Sequence, residues 1–536
     1  MKTHALILHQ QFFKKSLKSV VSTIFDNERD GFSPLQSADH FTLTGYADES
    51  RRSKRIPKAA LPVSSMPPVL DFPFAFADCK DLLPLLESAH HSARQQGSPH
   101  LLSFAQSIPA VEPLALLQQA MERGSPYFYT RYPSARPLTL LGIGSAITLR
   151  PQGSQRFQQA KQHIANLLPT LIQAGDSWSA LAQPRLFCGF PFFADARSPL
   201  RSTGGILTLP RWQLAATPDE TYLVSNWHIH PDHDLTPLLA QATTFCQGLR
   251  TLPVQNQGSL LPLLDWQLPP HSLDAFRQGI QTALQQIHAG SLHKVVLAHA
   301  LDIPLEQPLH PMATLRQWQR LYPECYVFAL QARAGATFWG ASPERLLRVD
   351  QQQVWIDALA GSAPRGRTEG EDFRLKQHLL NSPKDQHEHR VVVQAIQQAL
   401  LNLGMESPIL EPPQILQLSS IQHLQTRIQA EIPSHLQLLD LLEALHPTPA
   451  VGGVPTPVAC DLIRRLEPFD RGLYGAPLGW IDLHGNGEFF VGIRSALMQP
   501  QSLRLYAGAG IVADSDPDQE VAEVSLKLKA LPFFSS

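Results

Sequence analysis

The sequence predicts an α+β fold in which sheets and helices stack in layers, and three features predict it. Short runs of β-branched and aromatic residues cluster between positions 127 and 226. Amphipathic helical patterns fall in groups, at 111–123, 155–174 and 272–288, and do not alternate strand by strand as βαβ units would. The last thirty-odd residues run from a strand-like stretch through glycines into a helix.

Composition narrows the class. Basic and acidic residues nearly cancel, 44 against 46, so no global field draws the chain to nucleic acid or an anionic membrane. No apolar run approaches the ~18 residues needed to span a bilayer. The five cysteines are scattered and odd in number, without a CxxC pair. That fits a reducing cytoplasm and provides no zinc site. The 46 prolines with 43% hydrophobic content describe a loop-rich globular protein. The basic, apolar patch at 12–18 is followed by Asp26, Glu28 and Asp30, acids that organelle transit peptides avoid, and the basic run at 51–55 lies among serines and prolines as a solvated linker would. We therefore expect a weakly ordered N-terminal extension over 1–68, an N-terminal portion of the fold over 69–268 and a second portion over 269–536.

In the first portion the expected elements follow in order. A helix at 111–123 precedes strands at 127–132 and 138–147, joined by a proline-rich turn. A helix at 155–174 precedes strands at 187–193, 205–214 and 222–226. A proline-rich stretch then runs to about 270. His228, His230, Asp232 and His233 spell the H-x-H-x-D-H ligand cluster of metallo-β-lactamase-like hydrolases after a strand. Asp234 stands where that family has a small residue, and no glycine-rich turn follows. The cluster reads as a polar linker, with the hydrolase as the alternative from another class.

The second portion holds the chemistry. Lys294 opens a strand on the same side as Val296, Ala298 and Ala300. Such a lysine either snorkels to water or, held in a cleft, is tuned toward a general base. Glu344 ends the turn Ala341-Ser342-Pro343-Glu344, where the ordinary role is a polar turn residue. Ser382 and Pro383 cap a helix whose apolar stripe runs Val392, Ala395, Ala399, Leu403. Counting back four residues reaches Glu388, a carboxylate on a buried stripe that needs a metal or an ion pair. At the C-terminus, Asp516 and Pro517 start a helix, with Gln519 matching a capping box. Glu520, Glu523 and Lys527 lie on one stripe, Val521, Val524, Leu528 and Leu531 on another. Alone, Glu523 and Lys527 are a solvated pair worth about 0.3–0.5 kcal/mol. A glycine loop at 507–511 beside those carboxylates points instead to close approach of a hard cation and, through it, an anionic substrate. Gly508-x-Gly510-x-x-Ala513 matches a dinucleotide fingerprint only formally, since no ribose-binding acid can follow within a βαβ unit.

These residues lie in ordered blocks: Lys294-Val-Val-Leu-Ala, Gly340-Ala-Ser-Pro-Glu344, Ala360-Gly361-Ser362, Lys384-Asp-Gln-His-Glu388-His389, His446-Pro-Thr-Pro-Ala450, Tyr474-Gly-Ala-Pro-Leu-Gly-Trp480 and Tyr506-Ala-Gly-Ala-Gly510. The seven blocks, spanning 272–531, resemble those of the chorismate-utilising enzymes, and most of all isochorismate synthases. Weaker similarity reaches back through 141–146, 187–193 and 209–214. The resemblance implies the fold of anthranilate synthase component I, a large four-layer α/β/β/α sandwich with its site in a cleft between the sheets. It implies magnesium on Glu388 and Glu523 with Glu520 close by, bound to the ring carboxylate of chorismate. Lys294 is implied as general base on water attacking C2 and Glu344 as the acid protonating the departing C4 hydroxyl. Arg494 and Lys527 are implied at the enolpyruvyl carboxylate with Tyr474. Gly361 and Ser362 are implied as backbone donors, His423 beside the reacting face, and Gly510 and Ala450 against the substrate.

Relatives that use ammonia resemble this chain but carry glutamine at the position of Lys294 and threonine at that of Ala450. The expected activity is therefore magnesium-dependent isomerisation of chorismate to isochorismate, as a cytoplasmic monomer without a glutaminase subunit. The long N-terminal portion resembles the menaquinone or phylloquinone type, with siderophore-pathway and salicylate synthases as alternatives. His299 departs from the family arginine and, on the opposite strand face from Lys294, is expected to alter packing more than chemistry.

Overall fold

Two large sheets pack face to face, because aromatic side chains on their inner surfaces interdigitate. In the computed structural model Phe128 of one sheet stacks on Phe187 of the other at 4.9 Å, and Tyr326 stacks on Phe490 at 5.0 Å. The structure describes residues 82–529, except 135, 196–203, 251–268, 270, 306–308, 334, 407 and 420. The extension predicted over 1–68 and Leu531 lie outside the described residues. The described residues belong to one compact unit. Among the described residues no helix is long and apolar enough to cross a membrane.

The first sheet has twelve described strands and the second ten. Both halves of the chain build both sheets. Tyr127–Tyr132 pairs with Tyr326–Arg333 in the first, and Arg185–Gly189 with Pro477–Asp482 in the second. Helices Leu82–Gln96 and Asp274–His288 bury their apolar residues in the core shared with the first sheet, and Pro383–Asn402 buries Val392, Ile396 and Leu400 in the same core. The layers are thus helix, sheet, sheet, helix, the α+β architecture expected.

Several elements differ from expectation for identifiable reasons. The helix predicted over 155–174 is Arg156–Leu167; Pro169 stops it, and Leu171–Gly175 pairs in parallel with His100–Ser107. The run 205–214 divides at Pro210 into Ile206–Leu209 and Trp212–Ala216, which join different sheets. Gly144, at φ +66°, turns the run 138–147 into Leu138–Ile143 and Ile147–Leu149. The strand 222–226 extends over Thr221–Ile229, so Trp227 and His228 belong to the ladder and not to a linker. The glycine loop at 507–511 is the second half of a continuous strand, Ser502–Ile511, paired along Lys294–Pro304. His100–Ser107 was not predicted, because it is buried on both faces and lacks alternation. Helices Leu82–Gln96 and Thr236–Arg250 were also missed.

Candidate active site

The chain crosses between the two sheets at two places that touch, and the site forms there. Ala336–Ser342 belongs to the first sheet and Arg345–Asp350 to the second, so Pro343 and Glu344 make one crossing. Gly487–Val491 and Ser495–Gln499 make the other, through Gly492, Ile493 and Arg494. The Val491 N–H donates to Glu344 O at 3.0 Å, and the Ala341 N–H to Arg494 O at 3.1 Å. Arg494 takes a left-handed φ of 47°, uncommon for a residue with a side chain and held here by both crossings.

Two adjoining cavities of about 140 and 100 Å³ open at these crossings. All thirteen sequence-predicted site residues line one or both. Lys294, Gly361, Ser362, Glu388, Gly510, Glu520 and Glu523 line the smaller, Tyr474 and Arg494 the larger, and Glu344, His423, Ala450 and Lys527 line both. A cavity of about 560 Å³ lies elsewhere, between Arg123, Arg211 and Trp212, and includes none of them. Volume alone is a poor guide here, because it is the small pair that gathers the titratable groups.

Lys294 is 1% exposed, and its Nζ donates to Glu388 Oε1 at 2.8 Å. Gly510, opposite Val296 on the neighbouring strand, leaves the room for this pair. A Cβ there would stand 2.5 Å from Glu388 Oε1 and 3.1 Å from Lys294 Cε. Burial alone would raise the Glu388 carboxyl. Lys294, then Lys527 and Lys384, outweigh it and hold the group below the ordinary carboxylate range. The helix carrying Glu388 starts as expected, with the Asp385 N–H donating to Ser382 Oγ, but its buried stripe is His389, Val392, Ile396, Leu400, not Val392, Ala395, Ala399, Leu403. Glu388 therefore sits on the flank of the stripe, facing the cavity.

Glu344 behaves oppositely. Burial pushes its carboxyl up to about 8; Asp357 adds to the rise, while Lys294 and Lys527 oppose it. The acid is thus protonated at neutral pH. His423 is neutral, its imidazolium disfavoured down to about 3 by burial and by Arg494 and Lys527. Arg494 Nη2 donates to His423 Nε2 at 3.0 Å, which leaves the proton on Nδ1, directed to Ser362 Oγ and Gly361 O at 3.0 and 3.3 Å. Gly361 itself sits at φ +75° in a bulge that Asp385 packs against. Tyr474 stacks on Tyr506, ring centroids 5.1 Å apart.

The C-terminal helix Pro517–Lys529 starts at Asp516, whose carboxylate accepts from the Asp518 and Gln519 N–H groups. Its charged stripe faces the cavity. Glu523 meets Lys527 at 2.7 Å, Lys527 also donates to Gly508 O at 3.0 Å, and Glu520, 1% exposed, meets Lys384 at 2.8 Å. Lys384 was not assigned a role from sequence, although it stands four residues before Glu388 in the same block. The three carboxylates line one cavity, yet each is answered by a lysine. No three His, Cys, Asp or Glu side chains of the described residues converge as a metal cage.

His228, His230 and His233 cluster at the end of Thr221–Ile229, the first two rings edge to face and the last two tilted, and line neither cavity. Replacing His228 and His230 together by alanine is expected to leave any activity carried by the paired cavities nearly intact. Loss of turnover in a folded double variant, or its restoration by zinc and not magnesium, would reverse that reading.

The model of the "Chorismate binding enzyme" family matches residues 87–532. The chain belongs to this family. It is 34% identical to the salicylate biosynthesis isochorismate synthase of Pseudomonas aeruginosa over 83% of this chain and 92% of that one. It is 31% identical to the isochorismate synthase MenF of Bacillus subtilis over 83% and 95%. Its structure is similar to that of MenF, the menaquinone-specific isochorismate synthase of Escherichia coli, with a TM-score of 0.68, 27% identity, and 84% of this chain and 99% of that one covered. Anthranilate synthase component I of Streptococcus pneumoniae shares the fold, with a TM-score of 0.59 at 19% identity over 74% and 92%.

His299 points away from the site, its ring 6.3 Å from Phe276 and its charged form disfavoured by burial. It packs beneath the helix Asp274–His288 and does not line either cavity.

Proposed function

We propose that this chain is an isochorismate synthase, and the observation that carries the reading is the pairing of Lys294 with a protonated Glu344 across one cavity in a chain related to such enzymes over most of its length. Lys294 must first give up its ammonium proton; water then attacks C2 of chorismate as its proton passes to the free amine of Lys294. The C4–O bond breaks as Glu344 gives its proton to the departing hydroxyl, which leaves as water. The enolpyruvyl group is untouched. Arg494 and Lys527 hold its carboxylate, Tyr474 orients it, and Ala450 closes the floor beside the ring.

Glu388, Glu523 and Glu520 would hold magnesium. Their oxygens suit a hard cation, and Gly510 keeps open the space in front of Glu388 that a side chain would fill. When bound, the ion would supply positive charge opposite the ring carboxylate. It would take over carboxylates that lysines neutralise here.

The product test follows from the residue pair. Chorismate with magnesium should give an equilibrium mixture with isochorismate, without ammonia and with little pyruvate. Stoichiometric pyruvate with salicylate, or ammonia-dependent anthranilate, would reject the assignment. We further propose a cytoplasmic monomer that feeds quinone biosynthesis. The vibriobactin-specific isochorismate synthase of Vibrio cholerae matches 48% of the chain, whereas MenF of Bacillus subtilis matches along 83%. The similarity to a salicylate biosynthesis enzyme favours a second reading, supply of isochorismate for salicylate. Rescue of a menaquinone-requiring strain separates the two.

A further inference from the structure

The strand that carries Lys294 has a buried edge that, among the described residues, no strand covers beyond Val295. Gly453–Val454 pairs only with Lys294 and Val295, and the Val296 N–H donates to Gly452 O at 2.8 Å. Past this point the Val296 carbonyl and the Ala298 N–H would be unpaired in the interior, a costly arrangement. A buried ion pair takes the place of the missing strand. Glu467 Oε1 accepts from the Ala298 N–H at 2.8 Å, and Arg471 Nη2 donates to Val296 O at 2.7 Å. Arg471 Nε donates to Glu467 Oε2 at 2.8 Å, and Nη1 to Val451 O at 2.7 Å. The guanidinium lies over the Phe192 ring, 4.4 Å from its centroid, and the Tyr474 N–H donates to the carbonyl of Arg471 at 2.8 Å. One residue thus holds the base strand at Val296, the loop next to Ala450 at Val451, and the turn that carries Tyr474.

We infer that Glu467 and Arg471 are positioning residues that set the separation of Lys294 from the Ala450–Tyr474 side of the cavity. The pair is nearly inaccessible, with Arg471 at 0% and Glu467 at 3% side-chain exposure, and lines neither cavity. A pair of this kind is weak evidence for stability, since apolar replacements of similar volume commonly fold as well. What apolar side chains cannot supply is the planar fork, which bridges two main-chain carbonyls and a carboxylate in one rigid geometry. The consequence for turnover rests on the isochorismate synthase reading; the mechanical consequence does not.

The test compares wild type with Arg471→Lys and with the double replacement Glu467→Leu, Arg471→Met. Thermal midpoint, kcat and KM for chorismate at saturating magnesium, and backbone hydrogen exchange are measured on each. The expected result is folded protein whose kcat falls about 10²-fold, the scale of a small misplacement of reacting groups. KM changes little, and exchange quickens at 294–298 and 447–453 but not in the helix Pro383–Asn402. A folded double variant with wild-type kcat, or exchange that quickens uniformly, overturns the proposal. Should the double variant not fold, Glu467→Gln, which keeps the acceptor for Ala298 but loses the charge, must show the same selective exchange and a smaller fall in kcat, or the proposal fails. If wild type does not turn over chorismate, the functional reading falls, while the exchange pattern still tests the positioning.

Discussion

Glu344→Gln is expected to lower kcat by about 10²–10⁴-fold, the usual worth of one general acid, while leaving the fold intact. Glutamine fills the same buried space and needs no charge there, and the native acid is itself neutral at pH 7, its carboxyl raised to about 8 by burial. The loss is therefore one of proton donation and not of packing. The pH dependence fixes the sign. A general acid works while protonated, so wild-type kcat should hold below pH 8 and fall as pH rises through about 8. That descending limb should vanish in Glu344→Gln. Lys294→Ala should cost a similar factor for the opposite proton, and should also leave Glu388 without its 2.8 Å partner. A Glu344→Gln enzyme within a few-fold of wild type, or a wild-type profile without the limb near pH 8, would remove Glu344 from its role.

Glu523→Gln should raise the magnesium requirement steeply or abolish turnover. Replacing even an outer partner of a metal site costs ~10–100-fold in affinity, so loss of a direct ligand should reach at least the upper end of that range. Glu523 is the cleaner probe of the two principal carboxylates. Glu388→Gln also strips Lys294 of its ion-pair partner, so it mixes metal loss with base disturbance. Glu520→Gln should do less. Glu520 is buried, its carboxyl is raised by burial and by Glu523, and Lys384 holds it at 2.8 Å, so it is the least available of the three carboxylates to a cation. Calorimetric titration with magnesium, without substrate, reads affinity independently of turnover. If Glu523→Gln matches wild type at low magnesium in both assays, the charged face of Pro517–Lys529 is a solvated stripe and no more.

Local signals made much of this legible. Ser382 and Asp516 cap the helices that begin at Pro383 and Pro517, because a side chain satisfying the first free N–H groups acts within three residues. The strand from Lys294 and the turn before Glu344 were likewise readable from β-branched residues and a proline. Where expectation failed, a distant segment had overridden the local pattern. Ala507–Ile511 reads as a flexible glycine loop, yet Lys294–Pro304, two hundred residues away, recruits it into a ladder and uses its glycines for clearance. The stripe of the Glu388 helix was misplaced by one residue because Val391, Val392 and Val393 give no clean period; the strand carrying Thr426, whose hydroxyl meets His389 Nε2 at 2.8 Å, selects the face.

By itself the sequence determined the layered α+β class, the two capped helices that present Glu388 and Glu523, and the ordered blocks that mark the family. Each depends on neighbours within about one helical turn or on residue identity in a block. Tertiary structure alone decided which charges meet. Lys294 finds Glu388 across 94 positions, Lys384 finds Glu520 across 136, and Glu467 reaches the Ala298 N–H across 169. It also decided that Glu344 is neutral while Glu388 is charged. Burial drives the Glu344 carboxyl up against the pull of Lys294 and Lys527, whereas Glu388, half-buried and 2.8 Å from Lys294, is held down by the lysines around it.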